Sequence, residues 1–159
     1  YAAKIVAKRL GIYIERPPND AMQWGIDYEP AAKAAYEAET GNQVTEAGFI
    51  LPDGTDAYGG SPDGLVGEDG ILECKCPAAE TLIFYHALGR LPDQCRPQVQ
   101  GLLLISARAW CDFWVWHPNL KPLLLKIYAD QAYQLKIAEC LLKLLEEIKS
   151  IEEKLSWTP

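Results

Sequence analysis

Asp63, Glu73 and Lys75 have the types and the spacing to work together on a phosphate ester. Residues 71–76 (ILECKC) read as a strand closed by Pro77. Alternate side chains of a strand share a face, so Glu73 and Lys75 point one way and Leu72, Cys74 and Cys76 the other. A turn at Glu68-Asp69-Gly70 folds the preceding strand back and brings Asp63 beside Glu73. Two carboxylates and a lysine at a sheet edge suit a hard cation. Mg²⁺ takes carboxylate and carbonyl oxygens and keeps several waters, and Mn²⁺ accepts the same donors. The lysine ammonium can hold the attacking water and offset charge in the transition state. Glycines 59, 60 and 64 lack Cβ atoms, so a ligand or another stretch of backbone can approach them closely. The plainer alternative is a solvated Glu–Lys pair on an exposed face.

The elements that must position these residues follow from periodicity and punctuation. Residues 2–10 have helical spacing stopped by Gly11; 19–40 form an Ala-rich helix capped by Asn19 or Asp20 and ended by Gly41-Asn42. Pro30 lies inside and is expected to start a new segment or kink the old one. A strand at 43–51 precedes the Gly-rich segment 58–67; helices are predicted at 78–88 and 93–106, strands at 110–117 and 122–128, and a long helix at 130–156. Pure βαβ alternation is absent, so the reading is an α/β (α+β) fold: one domain, residues 1–159, with a central mixed sheet flanked by helices. In the last helix Ile137, Leu141, Leu144, Ile148, Ile151 and Leu155 form a seam, read first as an amphipathic face packed on its own sheet and second as an oligomer contact.

Composition sets bounds on this chemistry. The chain has 159 residues, 49% hydrophobic and 23% charged, enough to build a core. Its net charge of −7 weighs against a general nucleic-acid binder, which sets many Lys and Arg against phosphates. A bound divalent cation reverses the sign of an acidic pocket, so a nuclease escapes that argument. Five cysteines without a framework suggest reduced thiols and a cytoplasmic setting. Cys74 and Cys76 read as small strand residues, not ligands. No apolar run reaches the roughly 18 residues of a membrane span, and Tyr1-Ala2-Ala3-Lys4 has neither a signal pattern nor an initiating Met. His86 and His117 are isolated and carry no assigned role. Trp110, Trp114 and Trp116 could stack on bases, but strand alternation reads them as a packed layer. Arg90, Arg96 and Arg108 are candidates for phosphate contacts.

Pro62-Asp63, nine residues, then Glu73-Cys74-Lys75 resembles the PD-(D/E)xK nuclease superfamily with its restriction-endonuclease-like core. The wider wording, Ser61-Pro62-Asp63-Gly64-Leu65 followed by Leu72-Glu73-Cys74-Lys75-Cys76-Pro77, resembles the phage lambda exonuclease and YqaJ-type viral recombinase family. Upstream, Trp24-Gly25, Tyr28-Glu29, Tyr36 and Thr40-Gly41 are similar to that family's helix, and downstream Gln98-Val99-Gln100 is similar to its glutamine motif. The likeness covers roughly residues 20–120, with the motifs in order.

The resemblance implies roles residue by residue. Asp63 and Glu73 would ligate Mg²⁺ (or Mn²⁺), joined by the backbone carbonyl of Cys74. Glu29 would reach the cation directly or through water. Lys75 would position and activate the attacking water, and Gln98 would orient the nucleophile or the scissile phosphate. It also implies a Mg²⁺-dependent 5′-to-3′ exonuclease on linear double-stranded DNA with free ends, serving phage-type recombination in the cytoplasm of a bacterial or phage-infected cell. A single-strand annealing protein would be its partner, and a homotrimer its assembly. The family's arginine-bearing motif for the 5′-phosphate is matched by neither Arg9 nor Arg16, so the expectation is either a segment before Tyr1 that carries it or a different way of recognising the end. The alternatives are a structure-specific or restriction-like endonuclease, and a catalytically inactive DNA-binding domain.

Overall fold

An apolar strand at the centre of the sequence, flanked on both sides of the chain by helix-forming segments, dictates the architecture. The computed structural model describes residues 1–155; Ser156, the last residue of the helix expected at 130–156, lies outside them. The chain forms two compact units, Pro18–Gln131 and Tyr1–Pro17 with the residues from Ala132 onward.

In the first unit, helix α2 (Asp20–Thr40) leads into strands β1 (Val44–Thr45), β2 (Gly64–Val66) and β3 (Gly70–Lys75). Helices α3 (Ala79–Leu88) and α4 (Arg96–Ser106) follow, then β4 (Trp110–His117) and β5 (Leu120–Tyr128). The strands lie in sequence order, and only β3 and β4 are parallel. A parallel pair needs a crossover, which α3 and α4 supply. The result is the mixed, helix-flanked sheet expected from the sequence.

Alternation along β3 and β4 separates two apolar layers. Ile71, Phe113 and Val115 pack with Leu82 and Tyr85 of α3 and Val99 and Leu103 of α4. Leu72, Cys74 and Trp114 pack on the other side with Ala32 and Tyr36 of α2. Trp114 is therefore core, as a packed layer requires, and its indole N–H donates to the Ala32 carbonyl at 2.9 Å. The second layer also holds a buried polar group. Tyr36 Oη donates to Asp112 Oδ2 at 2.6 Å, and Lys126 Nζ lies 2.9 Å from Asp112 Oδ1. Burial, then the Asp112 carboxylate, push the Tyr36 phenol well above its usual range.

Two readings are corrected here. Residues 43–51 do not form one strand: β1 is two residues long, with a separate bridge between Ile50 and Gly60. Its partner β2 runs only from Gly64 to Val66, so the ladder ends where Asp63 turns away to the site. Pro30 does not divide α2, which is continuous through it. The Asn19 side chain caps its start by accepting from the Met22 N–H at 2.9 Å, and left-handed Gly41 ends it. These caps and the burial of Ala32 and Tyr36 outweigh the hydrogen bond that proline removes. The close approach expected at the glycines is made at Gly59 and Gly64 by the protein itself, with the Ile50 carbonyl against Gly59. A Cβ there would strike the Phe49 ring and the Val44 side chain respectively.

The second unit pairs α1 (Ala2–Arg9) with α5 (Gln131–Leu155). Leu144, Ile148 and Ile151 of the expected seam pack with Ala2, Ile5 and Val6 of α1. Arg9 Nη1 closes the pair on Glu152 at 2.8 Å. No helix among the described residues is long and apolar enough to cross a membrane.

Tyr36→Phe keeps the shape of the core but strips one partner from a buried carboxylate. It should cost about 1–3 kcal/mol, read as a lower urea midpoint. An unchanged midpoint would show that Asp112 does not depend on Tyr36.

Candidate active site

The β2–β3 hairpin sets the first pair of site residues. Gly67, with φ of +56°, makes the turn, and Gly64 faces Leu72 across the ladder. Asp63 is the next residue out. Its N–H donates to the Leu72 carbonyl at 3.1 Å, and its Oδ2 accepts from the Cys74 N–H at 2.7 Å. A backbone bond thus aims one carboxylate oxygen at the strand and leaves the other for a ligand.

Glu73 and Lys75 leave β3 on the α3/α4 face, as alternation requires. Glu73 is 1% exposed. Lys75 Nζ lies 2.6 Å from Glu73 Oε1 and donates to Gln98 Oε1 at 3.0 Å, while Gln98 Nε2 donates to the same Glu73 oxygen at 2.6 Å. The three side chains close a triangle on one carboxylate oxygen. Gln98 reaches it from the first turn of α4, which begins at Arg96-Pro97. Glu73 Oε2 is buried and has no hydrogen-bond partner among the described residues.

Glu29 comes from α2, and its Oε1 is paired at 2.9 Å with Lys33 one helical turn on. Lys33 also reaches Glu46 at 3.4 Å. Lys33 had drawn no attention in the sequence, although the i,i+4 spacing that pairs it with Glu29 is legible there. One cavity of about 510 Å³ is lined by Glu29, Asp63, Glu73, Cys74, Lys75 and Gln98. Every residue expected to hold the cation or carry the catalysis therefore meets there. Tyr85 lines it too and gave no signal in the sequence.

Burial first, then repulsion from Asp63, raises the Glu73 carboxyl to about 7. Asp63 is raised by burial, relieved in part by the Cys74 N–H. Burial works against the charge of Lys75, but the Glu73 carboxylate outweighs it and its pKa is raised. Lys75 is thus held as an ammonium, a donor that cannot take a proton from water. Burial also pushes up the thiols of Cys74 and Cys76, the latter to about 11. Neither is a thiolate ligand at neutral pH.

Among the described residues no group of three or more His, Cys, Asp and Glu side chains is arranged to hold a metal ion. The cavity offers instead two carboxylates, an unpaired buried acceptor and backbone oxygen, while Glu29 is turned to Lys33. That donor set fits Mg²⁺, which is commonly held by one or two carboxylates together with substrate phosphates.

The other candidates stand apart from it. Arg90 is tied to Asp93 at 2.7 Å, Arg96 to Asp130 at 2.7 Å, and Arg108 donates to the carbonyls of Gly67 and Gly70 at 2.9 and 2.7 Å. His86 Nε2 meets the Lys121 carbonyl at 2.9 Å.

Residues 6–109 match the YqaJ-like viral recombinase domain. Among solved structures, an alkaline exonuclease from Laribacter hongkongensis is 34% identical over 98% of this chain and 81% of its own, with a TM-score of 0.91. The same enzyme in complex with dAMP gives the same values. A phage-related exonuclease from Haemophilus somnus 129PT, 13% identical over 98% of this chain and 82% of its own, shares the fold with a TM-score of 0.80. No curated protein matches the chain.

The raised Glu73 carboxyl makes a pH prediction. Its folded value of about 7 lies above its ordinary 4.5, so the folded state holds the proton more tightly. That contribution to stability is complete below the ordinary value and is lost as pH rises through about 7. In chelator, urea stability should fall between about pH 4.5 and about pH 7 with a slope approaching 1.4 kcal/mol per unit midway and level off above, and Glu73→Gln should flatten it. Equal slopes in the two proteins would contradict this.

Proposed function

Because this chain belongs to the YqaJ-like viral recombinase family, we propose that it is a Mg²⁺-dependent exonuclease that degrades linear duplex DNA in the 5′-to-3′ direction. It is an enzyme of the exonuclease kind. The observation that carries the finer reading is the Glu73–Lys75–Gln98 triangle facing Asp63 in one acidic cavity. A relative that binds dAMP, a DNA mononucleotide, supports a deoxyribonuclease.

Asp63 and Glu73 would hold Mg²⁺ through their carboxylates, with the Cys74 carbonyl and Glu29 completing its surroundings. When bound, the cation supplies Lewis-acid stabilisation of charge on the phosphate. The chain's own residues do the rest. Lys75 Nζ, fixed on Glu73 Oε1, donates to the attacking water or to a phosphate oxygen. Gln98 spans Lys75 and Glu73 and keeps both in register, and its exposed position lets it meet the phosphate as well. The water oxygen bonds to phosphorus as the phosphorus–O3′ bond breaks, and the released 3′ oxygen takes a proton. No covalent enzyme intermediate is needed. Pairing of the site's carboxylates with Lys75 and Lys33 keeps the acidic pocket from repelling the DNA backbone before a cation enters. A ring of three copies and an annealing partner for the 3′ overhang belong to the same reading, and the exposed Leu135 and Leu142 of α5 support a contact between copies.

Asp63→Asn and Lys75→Ala should each lower Mg²⁺-dependent release of nucleotides from linear duplex DNA by at least about a hundredfold with unchanged circular dichroism. Closed circular DNA should stay intact. Wild-type rates in either variant would refute the site, and nicked circles would make the enzyme an endonuclease.

A further inference from the structure

We infer that a second cavity, walled by Trp24 and His117 and continuous with the acidic one, holds the base of the nucleotide being cut from DNA. This rests on the exonuclease reading and adds to it a binding site for a nucleobase. The cavity has a volume of about 280 Å³, several times the roughly 30 Å³ that one water takes in the liquid. Ala21, Cys76 and Pro77 line both cavities. Cys76 and Pro77 directly follow Lys75, so the second cavity begins within about 7 Å of chain from the triangle. That is the setting for a base whose phosphate lies at Asp63 and Glu73.

The lining selects the occupant. It holds no Asp, Glu, Lys or Arg, and apart from His117 its side chains are apolar or aromatic. A phosphate or sugar gains little there, whereas the flat face of a base buries well. Trp24 and His117 present near-parallel rings, 29° apart with centroids 6.0 Å from each other. Tyr28 braces Trp24 at 4.1 Å and itself leans on Trp116 at 6.1 Å, so the platform is held from behind. The two rings also carry nitrogen donors. Trp24 Nε1 is buried without a hydrogen-bond partner among the described residues. His117 Nδ1 faces the Asn119 N–H at 3.2 Å, which makes it the acceptor and leaves the proton of the neutral ring on Nε2. All four DNA bases carry edge acceptors, and stacking on an aromatic ring is tolerant of sequence. The site therefore accepts any base, as an enzyme that degrades DNA of every sequence requires.

The test uses linear duplexes that are intact or carry an abasic tetrahydrofuran residue at the position to be released. Wild-type kcat/KM should fall by about tenfold or more on the abasic duplex. Trp24→Ala should lose a similar factor on intact DNA and no longer tell the two substrates apart, while Trp24→Phe, which keeps an aromatic face, should restore the difference. His117→Ala, which leaves the Trp24–Tyr28 contact in place, serves as the second variant should Trp24→Ala fail to fold, and should shrink the discrimination. Equal cutting of both duplexes by the wild type, or full discrimination in both Trp24→Ala and His117→Ala, overturns the base site and leaves the exonuclease reading standing. Failure of the wild type to cut intact DNA overturns that reading instead.

Discussion

Glu73 carries a carboxylate into the middle of a sheet, where it is 1% exposed. A charge removed from water to that degree is costly unless positive partners and hydrogen-bond donors come to it. Much of the surrounding structure meets that demand. Strand alternation delivers Lys75 to the same face, α4 presents Gln98, and the hairpin sets Asp63 close enough to repel Glu73. Even so, one oxygen of Glu73 remains unpartnered. The site is thus stable enough to fold and still short of positive charge, the condition under which a divalent cation and its phosphate are bound.

The same demand explains how a chain of net charge −7 can act on DNA. All three arginines expected to be available for phosphate are engaged within the protein, Arg90 and Arg96 with Asp93 and Asp130 and Arg108 with the carbonyls of Gly67 and Gly70. Attraction for the backbone must then come from the cation and from Lys75, concentrated at the point of cleavage, more than from a basic surface. Beside it lies an apolar aromatic slot without formal charge. A charged centre for the phosphate and an uncharged one for the base divide a nucleotide according to its own polarity.

What the sequence disclosed depended on how local each signal was. The strand around Glu73, the turn that returns Asp63 to it, the Asn19 cap and the Gly41 stop are governed by neighbours within a few residues. Gln98 lies far along the chain, and only its motif context linked it to Glu73. The failures were failures of reach. Strand β1 is short because its partner β2 is short. Pro30 stays within α2 because packing beyond it compensates. The ties of Arg96 and Arg108 depend on where acceptors fall in space. Trp24 and His117 meet only because α2 crosses the end of β4, and no spacing in the chain announces that contact.

The central claim is that Asp63 and Glu73 form a cation site, in which burial and repulsion from Asp63 raise the Glu73 carboxyl to about 7. Calorimetric titration of Mg²⁺ into the chelator-treated protein near neutral pH, in two buffers of different ionisation enthalpy, tests it most directly. Saturable binding with release of protons is predicted for the wild type, weakened by at least about tenfold in Asp63→Asn and in Glu73→Gln, with the proton release lost in the latter. Equal binding by the wild type and both variants, or binding without proton release, would contradict the account.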